Sequence, residues 1–512
     1  QQESRVKKSL LNARVNLIFY FLTLILSFFS RKIFLDTLGA DFVGLTGTLQ
    51  NLLGFLNLAE LGIGSAIGYV LYKPLFEHDE GKINEIISVF GYLYRWIGFI
   101  ILGAGIVLAC FLPLIFPNTE FEMGIIFFAY FSFLASSLIG YFANYKQTLL
   151  GADQKNYVVT AYFQTATIIK TLIQMASAYY TGSYYLWVAI ELTFGIIYSF
   201  ILNWKINQVY PWLRSEVRQG KQLFKKYPEV MKYTKQLFVH RINSFVQFQT
   251  TPFLTYTFVS LRLVAYYGNY TIIVDKLVLL INTVLDSTSA GVGNLISEGN
   301  KNKIESVFWE LMGVRFWAAG IIVFSLYLLM DNFIQFWLGD EYLLSKAILM
   351  LLLLKIYIQL TLSSLGQFIY GYGLFGDVWS SILQSIIFLL VAIVAGYYFG
   401  LEGIIGASIF STFIIMGIWK PYYLYKKGFK SPVNRYWIKW FGFNLLVVIS
   451  SIFSYLIINV ITPFFNKYDI FQWLMYIVCV AVIYVFVSFF FFYIFTDSIK
   501  SLVRRFIYKR SF

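Results

Sequence analysis

The residues able to do chemistry in this chain are charged side chains set inside long apolar windows. Arg241 and Lys276 each fall about twelve residues into such a window, or about 18 Å along a helix axis. Two fixed cations at that depth suit an anion, and a guanidinium grips a phosphate through two parallel bonds. Arg31 and Lys32, at the end of the first window, are further anion candidates or else interfacial anchors. Glu60, Asp275 and Asp286 either neutralise these cations or carry an ion, because burial raises a carboxyl pKa toward values at which it can bind and release a proton. Arg95, Lys170, Glu191, Glu310, Arg315 and Lys355 read as salt-bridge partners that lock helices together.

These groups are not scattered. Asn16, Tyr20, Thr23, Ser27 and Arg31 recur at helical spacing, and Asn57 and Glu60 stand three apart ahead of Gly62, Gly64 and Gly68. Gln236, His240, Arg241, Asn243, Ser244, Gln247 and Thr250 make one segment too polar for lipid. Asp275, Asn282, Asp286 and Ser289 form a fourth stripe, with Lys276 beside it. Charge at bilayer depth costs about 2.5–3.5 kcal/mol per residue on insertion scales, so four such stripes imply a water-filled cavity.

The elements that must position them follow from composition. Of 512 residues, 59% are hydrophobic, 20% aromatic and 13% charged, a balance that excludes an ordinary soluble domain. A bilayer core needs about 20 helical residues per crossing. Fourteen such windows are predicted, from roughly 13–35 to 470–496, giving an all-α polytopic membrane protein. With the N-terminus inside, cytoplasmic segments hold 29 of the 40 basic residues and outside loops hold five, Arg31, Lys32, Arg262, Lys346 and Lys467. That asymmetry predicts both termini in the cytoplasm. The run from Leu10 to Phe29 lacks a small-residue cleavage site and reads as a retained first helix. The net charge of +14 thus reports cytoplasmic loops, and no nucleic-acid partner is expected.

The chain also repeats itself. A shift of 224 sets Gly44 on Gly268, Ala66 on Ala290 and Leu71 on Leu295. Further on, Tyr179, Tyr180 and Gly182 fall on Tyr397, Tyr398 and Gly400. Two parallel six-helix bundles are therefore predicted, over 1–205 and 229–425, joined by a basic linker at 206–228. Two extra helices and a basic tail fill 426–512. Spans 13 and 14 carry no charge in their central portions, as expected of lipid-facing helices.

Other patterns carry less. Only two His and two Cys are present, which leaves little room for a histidine-based hydrolase, a metal site or a disulfide framework. Gly371, Gly373 and Gly376 satisfy a dinucleotide pattern but follow a membrane helix and not a strand. Gly64 and Gly68 suit close helix packing. No cofactor is expected, and the chain reads as a transporter and not an enzyme.

Ser30, Arg31, Lys32 and Ile33, then the run Leu38 to Gly44 and the run Leu58 to Ala66, resemble the bacterial polysaccharide exporters. These are O-antigen (Wzx-type) flippases of the multidrug/oligosaccharidyl-lipid/polysaccharide (MOP) exporter superfamily, with a MATE-like fold. The resemblance implies a protein of the bacterial inner membrane that moves an undecaprenyl-pyrophosphate-linked oligosaccharide between leaflets by alternating access. On that footing Arg241, Lys276, Arg31 and Lys32 would meet the pyrophosphate. Asn16, Tyr20, Asn57, Asn243, Gln247 and Asn282 would meet sugar hydroxyls, and Glu60, Asp275 and Asp286 would couple H+ or Na+. Membrane lipids and other polysaccharide-assembly membrane proteins would be partners. Lipid II flippases of the superfamily share the fourteen helices, but their second span carries a cation where this chain has Glu60. The competing readings are a cation-coupled multidrug exporter of the same fold and a membrane-embedded polymerase or glycosyltransferase. The second would need acidic outside loops larger than Glu120 to Glu122 or Asp340 to Glu341.

Overall fold

Runs of Leu, Ile and Phe in a bilayer can satisfy their backbone polar groups only within the segment, which makes helix the outcome. The computed structural model describes residues 5–60, 63–117, 119–153, 155–286, 292, 295–296, 299–374, 376–465 and 470–508, and every regular element among them is helical. Nine of the described helices are long and apolar enough to cross a membrane. One of these, Trp379–Phe429, turns back on itself at Gly400 and so counts as two crossings. Of the described helices left out, Arg5–Leu38, Tyr157–Thr181 and Pro228–Phe258 are long but more polar, and Ala40–Leu56 and Ile63–Glu77 are short halves of one crossing. With them the number is compatible with fourteen.

By contact density the chain divides into two units, Gln1–Ala265 and Tyr266–Phe512. The first contains α1 (Arg5–Leu38), α2 (Ala40–Leu56), α3 (Ile63–Glu77), α4 (Glu80–Ile115) and α5 (Met123–Ala143). It continues with α6 (Gln147–Ala152), α7 (Tyr157–Thr181), α8 (Tyr184–Val209), the short α9 (Gly220–Phe224) and α10 (Pro228–Phe258). Asp79 caps α4 by accepting from the Lys82 N–H, and that bond holds its carboxyl below the usual range. Ser183 caps α8 in the same way. Helix α1 packs on α7, α5 lies against α4 and α8, and α10 packs on α2 and α3. The unit boundary thus falls after α10, whereas hydropathy order counts that helix into the second bundle.

The basic segment between α8 and α10 is bolted to the first unit. Asn84 Oδ1 accepts from the Arg214 N–H at 2.7 Å, and Ser88 Oγ from the Glu216 N–H at 2.9 Å. Glu85 takes Lys226 at 2.8 Å and the Tyr227 hydroxyl at 2.7 Å. Asp153 accepts from the Tyr210 hydroxyl at 2.8 Å. Burial, and then the neighbouring carboxylate, pushes the Tyr210 and Tyr227 phenols well above their ordinary value.

The second unit holds most of α11 (Leu261–Asp286), then α12 (Lys301–Trp337), α13 (Lys346–Gly371) and α14 (Val378–Thr412). The helical run of α14 continues through π-helical turns to Phe429. Next come α15 (Asn434–Ile461), α16 (Ile470–Phe495) and α17 (Asp497–Tyr508). Asn300 caps α12 and Ser345 caps α13. Helices α15 and α16 pack on each other and on α12, around Phe308, Trp309, Phe316, Phe443 and Phe492.

The repeat has a local signature. Gly182 (φ 59°) and Gly400 (φ 58°) both take the left-handed backbone that turns a helix back on itself. Before each stands an exposed tyrosine pair in edge contact. The centroids of Tyr179 and Tyr180 are 5.3 Å apart at 87°, and those of Tyr397 and Tyr398 are 5.2 Å apart at 86°.

Candidate functional site

The second crossing is not one helix. Helix α2 ends at Leu56, Asn57–Glu60 form a 3-10 turn, and α3 resumes at Ile63. Irregular backbone within a crossing is tolerated where it lines a protein cavity. Here the turn opens on a cavity of about 730 Å³ lined by Asn57, Glu60, Tyr94, Ser137, Tyr141 and Asn144, among others. Gly64 and Gly140 leave its wall low, and a Cβ at Gly140 would meet nothing within 4 Å.

Glu60 is the chemical centre of that cavity. Its Oε1 accepts from the Tyr94 hydroxyl and its Oε2 from the Tyr141 hydroxyl at 2.6 Å. Tyr141 also lies 3.0 Å from Asn57 Oδ1, which takes Ser137 Oγ at 3.4 Å. A phenol has one proton, so Tyr141 serves one of its two acceptors at a time. If Glu60 is ionised, both tyrosines donate to it. If Glu60 is protonated, it can donate to Tyr141, which then turns its own proton to Asn57. The arrangement accommodates both charge states without moving a helix.

A second polar seam runs along α11. Asp275 is exposed on that helix, within electrostatic reach of Lys355 on α13 and of the adjacent Lys276. Two turns on, Asn282 Oδ1 accepts from Arg315 Nη1 at 3.3 Å, and Arg315 is 2% exposed on α12.

The remaining sequence candidates fall as follows. Arg31 Nη2 donates to the Ala265 carbonyl at 2.9 Å. Lys32 pairs with Asp36 at 3.2 Å, with both side chains about half exposed. Gln247 is half-buried on α10. Arg241 and Asn243 lie on α10, Asn16 and Tyr20 on α1, and Asp286 at the end of α11, but their side chains are outside the described residues. Of the expected helix locks, Lys170 meets Glu191 at 2.7 Å, and Gln174 donates to the same carboxylate at 2.9 Å. Arg95 is exposed.

The structure places Asn57 and Glu60 on the wall of one cavity, where Tyr141 stands between them, and Asp275 beside Lys276 on α11. It adds Tyr94, Tyr141 and Ser137, which sequence reasoning does not single out. A signal was present, since Ser137 and Tyr141 stand four apart on one face of α5, with Asn144 and Tyr145 just beyond its end.

No family model and no curated protein matches the sequence. Solved structures that share the fold include three membrane transporters. A lipid II flippase, MurJ, in an inward closed conformation matches with TM-score 0.67 and 16% identity, over 93% of this chain and 98% of that one. An inward-facing multidrug resistance MATE family transporter of the MOP superfamily matches with TM-score 0.59 and 13% identity, over 79% of this chain and 94% of its own. The Vibrio cholerae MATE transporter VcmN in its bent form matches with TM-score 0.51 and 13% identity, over 83% and 98%. The fold is thus that of an all-α, MATE-like membrane protein.

Proposed function

We propose that this chain is a flippase that moves an undecaprenyl-pyrophosphate-linked oligosaccharide from the inner to the outer leaflet of a bacterial cytoplasmic membrane by alternating access. The observation that carries the reading is the extent of the likeness to the lipid II flippase. At 93% of the chain, it leaves too few residues unmatched to omit the α15–α16 pair, whereas the likeness to the MATE transporter stops at 79%. A transporter with this extra pair fits a lipid-borne cargo whose tail stays in the bilayer while its headgroup crosses.

In this mechanism the pyrophosphate meets Arg241 and Lys276, with Arg31 and Lys32 at the entrance. Asn16, Tyr20, Asn57, Asn243, Gln247 and Asn282 bind sugar hydroxyls. A headgroup with about two negative charges gains about 2.3 kcal/mol per charge per 100 mV on leaving a negative interior, so the membrane potential assists export. Glu60, Asp275 and Asp286 are the candidates for H+ or Na+ coupling. Glu60 is favoured because its tyrosine partners accommodate both of its charge states. Both termini face the cytoplasm, and partners would be membrane lipids and other polysaccharide-assembly membrane proteins.

The test is leaflet accessibility of an undecaprenyl-pyrophosphate-linked oligosaccharide in proteoliposomes, with and without an imposed potential. Movement that is lost when Arg241 and Lys276 are both replaced by Ala supports the reading. Efflux of a cationic dye with no lipid movement would replace it by the multidrug exporter, with Glu60, Asp275 and Asp286 as its cation-facing acids.

A further inference from the structure

The second unit contains a cavity of about 980 Å³ that the transport mechanism leaves unused. Its walls come from α12, α15 and the junction of α16 with α17. One end is polar, with Glu305 on α12, Arg435 and Lys439 one turn apart on α15, and Asp497 and Ser501 on α17. The other end is apolar and follows α15 through Gly442 and Leu445 to Ile449. From Arg435 to Ile449 is about 21 Å at 1.5 Å per residue, about the thickness of one bilayer leaflet with its headgroups.

The polar end holds both signs of charge. Lys439 lies within electrostatic reach of Glu305, Asp497 and Arg435, and its Nζ stands 5.1 Å from the Trp309 ring centroid. Among the described residues no salt bridge closes on Arg435, Lys439 or Glu305, and Asp497 meets only Lys500, at 3.8 Å. Cations and acids so placed side by side suit a ligand that itself carries both charges on neighbouring groups. An anionic headgroup would satisfy the two cations and be repelled by Glu305 and Asp497. A quaternary ammonium would match the charges but has no N–H to donate to a carboxylate.

We infer that this cavity binds one membrane phosphatidylethanolamine, with the phosphodiester at Arg435 and Lys439, the primary ammonium at Glu305 and Asp497, and an acyl chain along Gly442 to Ile449. Gly442 forms the floor of the groove, since a Cβ there would meet nothing within 4 Å. A large side chain at this position therefore fills the groove without striking the backbone. The inference does not depend on which cargo the transporter carries.

Native mass spectrometry of the purified full chain, titrated with phosphatidylethanolamine, phosphatidylcholine and phosphatidylglycerol of matched acyl chains, tests it. The expected result is one phosphatidylethanolamine retained about tenfold more than either competitor. Glu305→Gln should reduce it to the phosphatidylcholine level, and Gly442→Trp should release all three at an unchanged melting temperature. Should Gly442→Trp fold poorly, Lys439→Met serves in its place and should weaken all three lipids. Equal or better retention of phosphatidylglycerol by the unmodified chain overturns the proposal. So does a phosphatidylethanolamine preference that survives Glu305→Gln.

Discussion

The Tyr141 hydroxyl lies 2.6 Å from Glu60 Oε2, across a cavity wall that interrupts the second membrane crossing. A carboxylate held by two phenols can accept when ionised and donate when protonated, which is the geometry the proposed coupling role would use. If Glu60 couples transport, Glu60→Gln should remove the response of lipid movement to a pH gradient while leaving the response to membrane potential. The amide still accepts one tyrosine proton, so the stability loss should be only about 1–2 kcal/mol. Proteoliposome flipping under each gradient separately, with a thermal melt of the same protein, checks both halves. A Gln variant that still responds to the pH gradient would confine Glu60 to a structural role.

Much of the fold could be read from hydropathy, because a bilayer leaves helix as the solution for a long apolar run. The broken second crossing could not. Nothing in Asn57 to Glu60 forbids helix, and the break makes sense only once Tyr94 and Tyr141 are seen to claim the carboxylate from α4 and α5. The docking of the basic linker was hidden for a similar reason. Asn84, Glu85 and Ser88 read as an ordinary polar helix start, and their acceptors find their donors far away in sequence, at Arg214, Glu216 and Lys226. The Lys170–Glu191 lock, by contrast, was visible, because two opposite charges in consecutive apolar windows need each other.

That lock yields a second prediction. Lys170 and Glu191 are largely buried, with side chains 15% and 25% exposed, and they join α7 to α8 across the Gly182 turn. Lys170→Met leaves a carboxylate in a low-dielectric setting and should cost about 2–4 kcal/mol. Adding Glu191→Gln should restore most of the loss, because both charges are then gone. Melting temperatures of the single and double variants in one detergent decide it.

Gly44 sets how closely α2 approaches the start of α11. A Cβ on Gly44 would sit 2.0 Å from the Leu261 carbonyl oxygen, a backbone atom that cannot step aside. Gly44→Ala should therefore destabilise by about 1–3 kcal/mol. Gly47→Ala is the matched control, since nothing lies within 4 Å of its Cβ, and it should be neutral or slightly stabilising. Paired thermal melts read the difference.

The linker clamps carry a pH signature. Tyr210 and Tyr227 have phenol pKa values raised by burial first and by Asp153 and Glu85 second. With the folded value above the ordinary 10.0, their contribution is complete below pH 10 and is lost only as pH rises through the raised value. In an ultraviolet difference titration the Tyr210 and Tyr227 phenols should ionise only well above pH 10. Asp153→Asn should bring Tyr210 down only in part, because burial remains. Ionisation of all tyrosines in a single step near pH 10 would contradict the clamp.

In the second unit the Gly400 turn is stapled at its far end by Asp377. This carboxylate, 3% exposed just before α14, accepts from Lys420 Nζ at 2.7 Å, from Trp419 Nε1 at 3.2 Å and from Ser380 Oγ at 3.2 Å. Asp377 stands at the start of one arm of the helical hairpin and Trp419 and Lys420 lie in the other, so these two bonds fix the spacing of the arms where the glycine turn cannot, while Ser380 belongs to the arm of Asp377 itself. Asp377→Asn keeps the shape and one acceptor but leaves Lys420, itself 13% exposed, without its anion, at a cost of about 3–5 kcal/mol. Lys420→Met in the same chain removes the stranded charge and should recover most of that stability. A melt in which the double variant is no better than Asp377→Asn would mean that the tryptophan bond, and not the ion pair, holds the arms.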